Sequence, residues 1–259
     1  MSNSASSGST AAVRDEFFDA LADTRRRTVL RLVHRQSPDR IGKDDLARHL
    51  AAVTMDKRSA EVTDEDHRQA LVDLHHRLVP ALIDVGLLEE SDDGTVALGE
   101  HAAFDDPHLE AVVSTRHGAD DATLDAVFRA LADEHRRAIL SILVDADRPL
   151  ETETLARRIA ARKAETTARE VARDRVDEVL TSLVHVHVPM LADASLVEYD
   201  PETGRVADGD QPIVRAEWRQ SDDDTAATAT DEQITVERRE DSHTLAAHHQ
   251  IYRAQPRSS

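Results

Sequence analysis

The chain contains no cysteine and only three lysines, Lys43, Lys57 and Lys163. Without cysteine there is no disulfide framework, no thiol redox centre and no thiolate metal site. Aromatic residues make up 3 % of the sequence, so a core must rest on Leu, Val, Ile and Ala. No apolar run reaches the ~18 residues needed to cross a bilayer, and the opening MSNSASSGST lacks the charged and apolar regions of a signal peptide. These absences predict a soluble protein of the cytoplasm with no membrane partner. Enzyme signatures are missing too: there is no P-loop, no glycine-rich dinucleotide turn, no Gly-x-Ser-x-Gly and no His-Glu-x-x-His. The expectation is therefore a non-enzyme with no cofactor and no bound metal.

What the chain does have is acid. Asp and Glu number 51 against 32 Lys and Arg, a formal charge of −19 over 259 residues. Excess carboxylate with scarce lysine suits a protein living in molar salt. Acidic surfaces stay hydrated there, and their self-repulsion is screened within roughly 3 Å at 1 M.

It also has the same sequence twice. Phe18 to Leu30 reads FDALADTRRRTVL and Phe128 to Leu140 reads FRALADEHRRAIL, identical at eight of thirteen positions with an offset of 110. Leu74 to Glu89 reads LHHRLVPALIDVGLLE and Leu183 to Glu198 reads LVHVHVPMLADASLVE, identical at eight of sixteen with an offset of 109. Separated blocks that keep their spacing imply two copies of one domain. The predicted organisation is a disordered tail over 1–13, domain 1 over 14–101, a linker over 102–122, domain 2 over 123–208, and an acidic, disordered tail over 209–259 that carries Trp218.

Apolar spacing predicts the elements. A short helix with Phe17, Phe18 and Leu21 meets a corner at Asp23, and a second helix runs to about His34. Asp44 or Asp45 is expected to cap a third helix with Leu46 and Leu50. Residues 54–66 read as a loop or a helical extension. A long helix then carries Leu71, Leu74, Leu78, Leu82 and Val85 to Gly86, followed by a hairpin turning at Ser91-Asp92-Asp93-Gly94. Copy two repeats the order, with Thr152 or Thr154 as the expected cap and Asp200-Pro201-Glu202-Thr203-Gly204 as the turn. The predicted class is mostly α with small β-wings (α+β), as two tandem winged helix-turn-helix domains.

Ala22-Asp23-Thr24-Arg25-Arg26-Arg27-Thr28-Val29-Leu30 and Ala132 to Leu140 resemble the "LADPTRLRIL" opening of arsenic-repressor-type winged-helix regulators. Leu46-Ala47 and Leu155-Ala156 resemble that family's "ELA". Leu82 to Leu88 and Leu191 to Val197 resemble its "LREAGLV". A closer resemblance is to a group of winged-helix-like domains common in halophilic archaea, with an "ALAxxRRRxIL" opening and a later "LxHxHLPxLxxxGLVxYD". Leu183, His185, His187, Pro189, Leu191, Leu196, Val197, Tyr199 and Asp200 fit it nearly throughout. Copy one keeps His76 and Pro80 but has Leu78 for the second histidine and Glu90 for the tyrosine. The resemblance implies a regulatory role.

The signature residues admit competing readings. Arg26, Arg27, Arg136 and Arg137 could grip phosphates, but an intradomain salt bridge that holds the helix corner is the preferred reading. His185 and His187 make a poor metal pair, because i and i+2 on a helix point about 200° apart. One is expected toward the core or a domain interface and the other at the surface. Pro80 and Pro189 imply a specified kink or restart, read as an architectural bend that aims Leu82 or Leu191 into the core. Neither candidate recognition helix is a basic stripe. The most basic stretch is 157–175, so the DNA-contacting candidates are Arg157, Arg158, Arg162, Lys163, Arg169, Arg173 and Arg175, with Arg205 in the second wing.

The expected function is DNA-binding transcriptional regulation, with the two copies acting as the halves of a winged-helix dimer, paired within one chain or across a homodimer. The alternative is a winged-helix protein–protein interaction module that does not bind DNA.

Overall fold

The computed structural model describes residues 4–101, 104, 119–209 and 211. The first repeat consists of α1 (Ser4–Leu21), α2 (Thr24–Gln36), β1 (Ile41–Gly42), α3 (Lys43–Thr54), α4 (Asp64–Asp73), a π-helical turn (Leu74–Leu78), α5 (Val79–Asp84), β2 (Leu88–Glu90) and β3 (Thr95–Leu98). The second follows the same order: α6 (Asp121–Leu131), α7 (Glu134–Val144), β4 (Leu150–Glu151), α8 (Thr152–Lys163), α9 (Arg173–Ser182), a π-helical turn (Leu183–His187), α10 (Val188–Asp193), β5 (Val197–Asp200) and β6 (Arg205–Asp208). The chain is mostly helical, with two tandem α+β repeats.

Each repeat closes a three-stranded antiparallel sheet, ordered β1-β3-β2 and β4-β6-β5. Val96 pairs with both Ile41 and Glu90, and Val206 with both Leu150 and Tyr199. These two central valines are fully buried, which fixes the register, since a one-residue slip would turn them to solvent. The two-residue strands β1 and β4 are too short for an alternating pattern and were not foreseen.

The helix corners form as their cap residues dictate. Asp23 accepts from the backbone N–H groups of Arg25 and Arg26 at 2.8 and 3.0 Å, and Asp133 accepts from that of Arg136 at 3.0 Å. Satisfying these otherwise unpaired donors stabilises a helix start by about 1 kcal/mol.

The long helix of each repeat is interrupted in the same place. Val79 N–H donates to Leu74 O and Val188 N–H to Leu183 O, five residues back rather than four. Pro80 and Pro189 follow by one residue, at the start of α5 and α10, where a missing N–H costs least. The wider turn changes the buried stripe. Leu74, Val79 and Leu82, and likewise Leu183, Val188 and Leu191, fall five and then three residues apart, each at most 1 % exposed. Leu82 and Leu191 thus reach the core through an inserted π-turn rather than through a proline kink.

Several expectations need correction. Residues 4–13 belong to α1 rather than to a disordered tail; small Ser, Ala and Thr residues extend a helix whose far end is docked through Phe18. The N-caps of α3 and α8 are Gly42 and Glu151, neither with a side-chain cap bond, because β1 and β4 run straight into those helices. Asp44, Asp45, Thr152 and Thr154 therefore sit within the first turn. The ambiguous 54–66 segment is a 3₁₀ turn at Ser59–Glu61 followed by Thr63, which caps α4 by accepting from Asp66 N–H at 3.2 Å. The expected linker ends early, since α6 starts at Asp121. Most of 102–118, and the tail beyond Gln211 with Trp218, lie outside the described residues.

The repeats share one apolar core. Helix α1 packs along α6, and the equivalent rings of Phe18 and Phe128 stack with centroids 6.4 Å apart.

Candidate nucleic-acid interface

Two signature arginines bind the repeats to each other. Arg27 is fully buried, with Nη1 2.7 Å from its own repeat's Leu21 O and 2.6 Å from Asp125 Oδ1 of the other repeat. Its Nη2 lies 3.1 Å from Asp121 Oδ1. Arg137, equally buried, donates to Leu131 O at 2.8 Å and to Asp15. Asp15 and Asp125, Leu21 and Leu131, and Arg27 and Arg137 are all 110 residues apart. Each guanidinium also lies over the partner repeat's phenylalanine, Arg27 over Phe128 at 6.0 Å and Arg137 over Phe18 at 5.8 Å. The contact is isologous, as in a two-fold dimer, but lies within one chain.

The preferred reading of these arginines as intradomain salt bridges is therefore wrong for Arg27 and Arg137, whose carboxylates come from the other copy. It describes Arg26 and Arg136 better. Arg26 lies 3.5 Å from Asp19, and Arg136 Nε donates to Ala130 O at 2.6 Å. Burial pushes the Arg136 guanidinium below its ordinary value, while Asp133 opposes the shift. None of the four faces solvent as a phosphate-gripping side chain would.

The DNA-contacting candidates are placed on two parts of copy two. Arg158 of α8 and Arg205 of β6 come together with Arg148 around a cleft of about 540 Å³ between the strand β4 end, α8 and the hairpin. Asp145, Asp147 and Glu151 line the same cleft. Arg148 was not among the candidates; the loop that carries it gives no periodic signal.

The remaining candidates flank α9. Arg169 and Arg173 are exposed just before and at its start. Arg175 forms an ion pair with Glu178, and Arg157 one with Glu153 at 3.1 Å. Arg162 turns to Ser141 at 3.3 Å, and Lys163 Nζ lies 2.9 Å from His135 Nε2. Four of the eight are thus engaged by neighbours in their own repeat.

Copy one has lost this basic character. Thr54, Asp64 and Asp66 stand where copy two has Lys163, Arg173 and Arg175. Helix α4 holds four carboxylates to one arginine, α9 three to two. The hairpin-side cations of copy one are tied locally, Lys43 to Glu90 at 2.6 Å and Arg40 to Glu89. Asp66 is held at about 2 by the Lys57 ammonium and the Thr63 backbone.

The histidines divide as their spacing requires. His187 is half-buried and stacks on His135 with centroids 5.7 Å apart, whereas His185 and His76 face solvent. Burial lowers the His187 pKa; Asp133 opposes this, and His135 and Arg136 add to it. Among the described residues no cluster of His, Asp and Glu is arranged to hold a metal, and no helix is long and apolar enough to cross a membrane.

The molecule is thus a two-repeat α+β protein whose copies pair through their first helices; exposed cations occur on both, and those of the first are mostly held in ion pairs. A family model, the domain of unknown function DUF7344, matches it twice, over residues 18–97 and 128–207. The chain belongs to that family. No curated protein and no solved structure matches it.

Proposed function

We propose that this protein is a DNA-binding transcriptional regulator built from two winged helix-turn-helix units, in which copy two makes most of the contact. In each repeat, α2, α3 and α4 (α7, α8 and α9) would be the three helices of the motif, and β2–β3 or β5–β6 the wing. The first strand pairing with the third supports this reading, because it sets the hairpin beside the helix pair. The carrying observation is the convergence of Arg148 and Arg158 with Arg205 at the hairpin, next to α9 and its exposed Arg169 and Arg173. Phosphate contacts of this kind position a protein on a duplex, and base-edge contacts from α9 would specify the sequence. Few net positive charges are needed in molar salt, where counterion release contributes little. The experiment is retention of fragmented genomic DNA in molar potassium chloride. Wild type should enrich particular fragments, and Arg158→Glu/Arg205→Glu should abolish enrichment without changing the unfolding temperature. Indifference of the wild type to every fragment would overturn the reading.

A second reading has its own observation. Val53, Met55 and Val72 of copy one are exposed on α3, just beyond α3 and on α4, with Val53 in the place of Arg162. Apolar side chains on an acidic unit fit a protein partner better than a phosphate backbone. Under this reading Val53→Asp/Val72→Asp would cost partner capture from the native lysate while the arginine variants left it intact.

A further inference from the structure

In copy two a cavity of about 370 Å³ lies under α9, between α7, α8 and the π-turn. Ile139, Ile159 and Leu183 are buried side chains of its lining, with the half-buried Val179 beside them. Lys163, His135, His187 and Arg175 supply cationic or protonatable nitrogen, against Asp133 and Glu178. Both carboxylates are already engaged: Asp133 caps α7, and Glu178 pairs with Arg175. His187 Nδ1 is buried with no hydrogen-bond partner, 4.0 Å from Asp133 Oδ1. A buried polar atom without a partner costs about 1–3 kcal/mol, so its retention calls for an occupant that satisfies it.

Other side chains occupy the same place in copy one. Arg25, Asp73 and Leu78 stand where copy two has His135, Ser182 and His187. Arg25 Nη1 lies 2.7 Å from Asp73 Oδ2, and Leu78 is buried. Copy two has therefore exchanged an ion pair and a leucine for two imidazoles and a serine. Nothing in the pairing of the repeats requires that exchange.

We propose that this cavity is a binding site for a small organic carboxylate with an apolar body. The hydrocarbon part would lie on Ile139, Ile159, Val179 and Leu183. The carboxylate would take the hydrogens that Lys163 retains beside its contact with His135, together with an imidazole N–H of His187 or His135. The volume suits a compact ligand, and apolar walls with a few convergent polar groups are what such sites share. Helix α9 forms one wall, so occupancy bears on the helix proposed to meet DNA, but the binding itself does not depend on that reading.

Benzoate is the probe, with inorganic phosphate as the anion without an apolar body. Imidazole-labelled full-length protein in molar potassium chloride is titrated with each, and the His135 and His187 resonances are followed. Benzoate should shift both saturably and phosphate should not. Lys163→Thr, which introduces copy one's residue at an exposed position, should weaken benzoate binding about tenfold, the worth of one charge-assisted hydrogen bond. His135→Arg/Ser182→Asp/His187→Leu, which introduces copy one's residues there, should abolish binding while its unfolding temperature shows that it folds. Unmoved histidine resonances would refute the site. Equal benzoate affinity in wild type and Lys163→Thr would remove the carboxylate from it, and phosphate binding as tight as benzoate would remove the apolar body.

Discussion

Arg27 of the first repeat and Asp125 of the second lie 2.6 Å apart, and Arg137 and Asp15 repeat the contact from the opposite side. Both guanidinium groups are fully buried, so their partners are not interchangeable with water. Asp125→Ala leaves Arg27 with its carbonyl, Thr24 and Asp121 contacts but without its shortest carboxylate. The expected loss is about 2 kcal/mol or more, read as a fall in the denaturant midpoint. Asp15→Ala should cost a similar amount and the double variant roughly the sum, whereas Glu178→Ala, an exposed carboxylate, should change stability by less than about 0.5 kcal/mol. A loss at Asp125 no larger than at Glu178 would contradict the role given to the pair.

The two π-turns predict an unusual tolerance of deletion. Val186 is exposed, so removing its side chain by Val186→Ala should be nearly silent. Deleting the residue instead leaves Leu183 and Val188 four apart, an ordinary α-helical step that keeps both on one face. Val188 and Leu191 should stay in the core, and cooperative thermal unfolding should be retained. Loss of a native-like transition by the deletion variant would show that the fold needs the wider turn itself.

One left-handed backbone position is shared by the two copies but filled by different residues. Gly86 has φ +76°, and its equivalent Ser195 adopts φ +57°. A side chain in the left-handed region costs on the order of 1 kcal/mol. Ser195→Gly should therefore raise stability by up to about 1 kcal/mol and Gly86→Ser lower it by as much. Nearby, a Cβ on Gly209 would lie 2.5 Å from Ser195 O, so Gly209→Ala should be strongly destabilising. Chemical denaturation of the three variants checks all of these.

The His187 imidazole titrates below its ordinary value near 6.5 because it is half-buried. Above that pH it is neutral in both the folded and the unfolded chain. As pH falls below 6.5 the unfolded chain takes up the proton first, so stability falls with pH until the folded pKa is passed. Asp133, His135, Arg136, Lys163, Arg175 and Glu178 are the charged or titratable groups around it. His187→Leu should reduce the slope of stability against pH just below 6.5, leaving the part due to His101, also lowered by burial. An unchanged slope would show that His187 does not contribute.

The salt dependence of DNA retention should fall unequally on the two copies. Each phosphate contact contributes about 0.9 to the slope of log affinity against log salt concentration. Arg158→Gln and Arg205→Gln should each reduce that slope by about one, whereas Arg40→Gln and Lys43→Gln, whose charges are held by Glu89 and Glu90, should leave it unchanged. Equal effects from both sets would assign contact to both copies.

Sequence by itself determined the duplication, the order of the helices and hairpins, and the corners at Asp23 and Asp133. These follow from local chemistry: apolar spacing, cap side chains, and turns carrying glycine. It also showed that the most basic stretch, 157–175, lies in copy two. Tertiary structure decided what local pattern cannot encode. The two-residue strands β1 and β4 exist only because β3 and β6 supply their hydrogen bonds. The carboxylates of Arg27 and Arg137 lie 98 and 122 residues away in the chain, so a spacing argument found the arginines but assigned them to their own domain. The π-turn brings Val79 and Val188 into the buried stripe five residues beyond Leu74 and Leu183, and the residue before each, Leu78 or His187, packs in the core of copy one or lines the cavity of copy two. Burial depends on which faces meet, and only the packed chain brings them together.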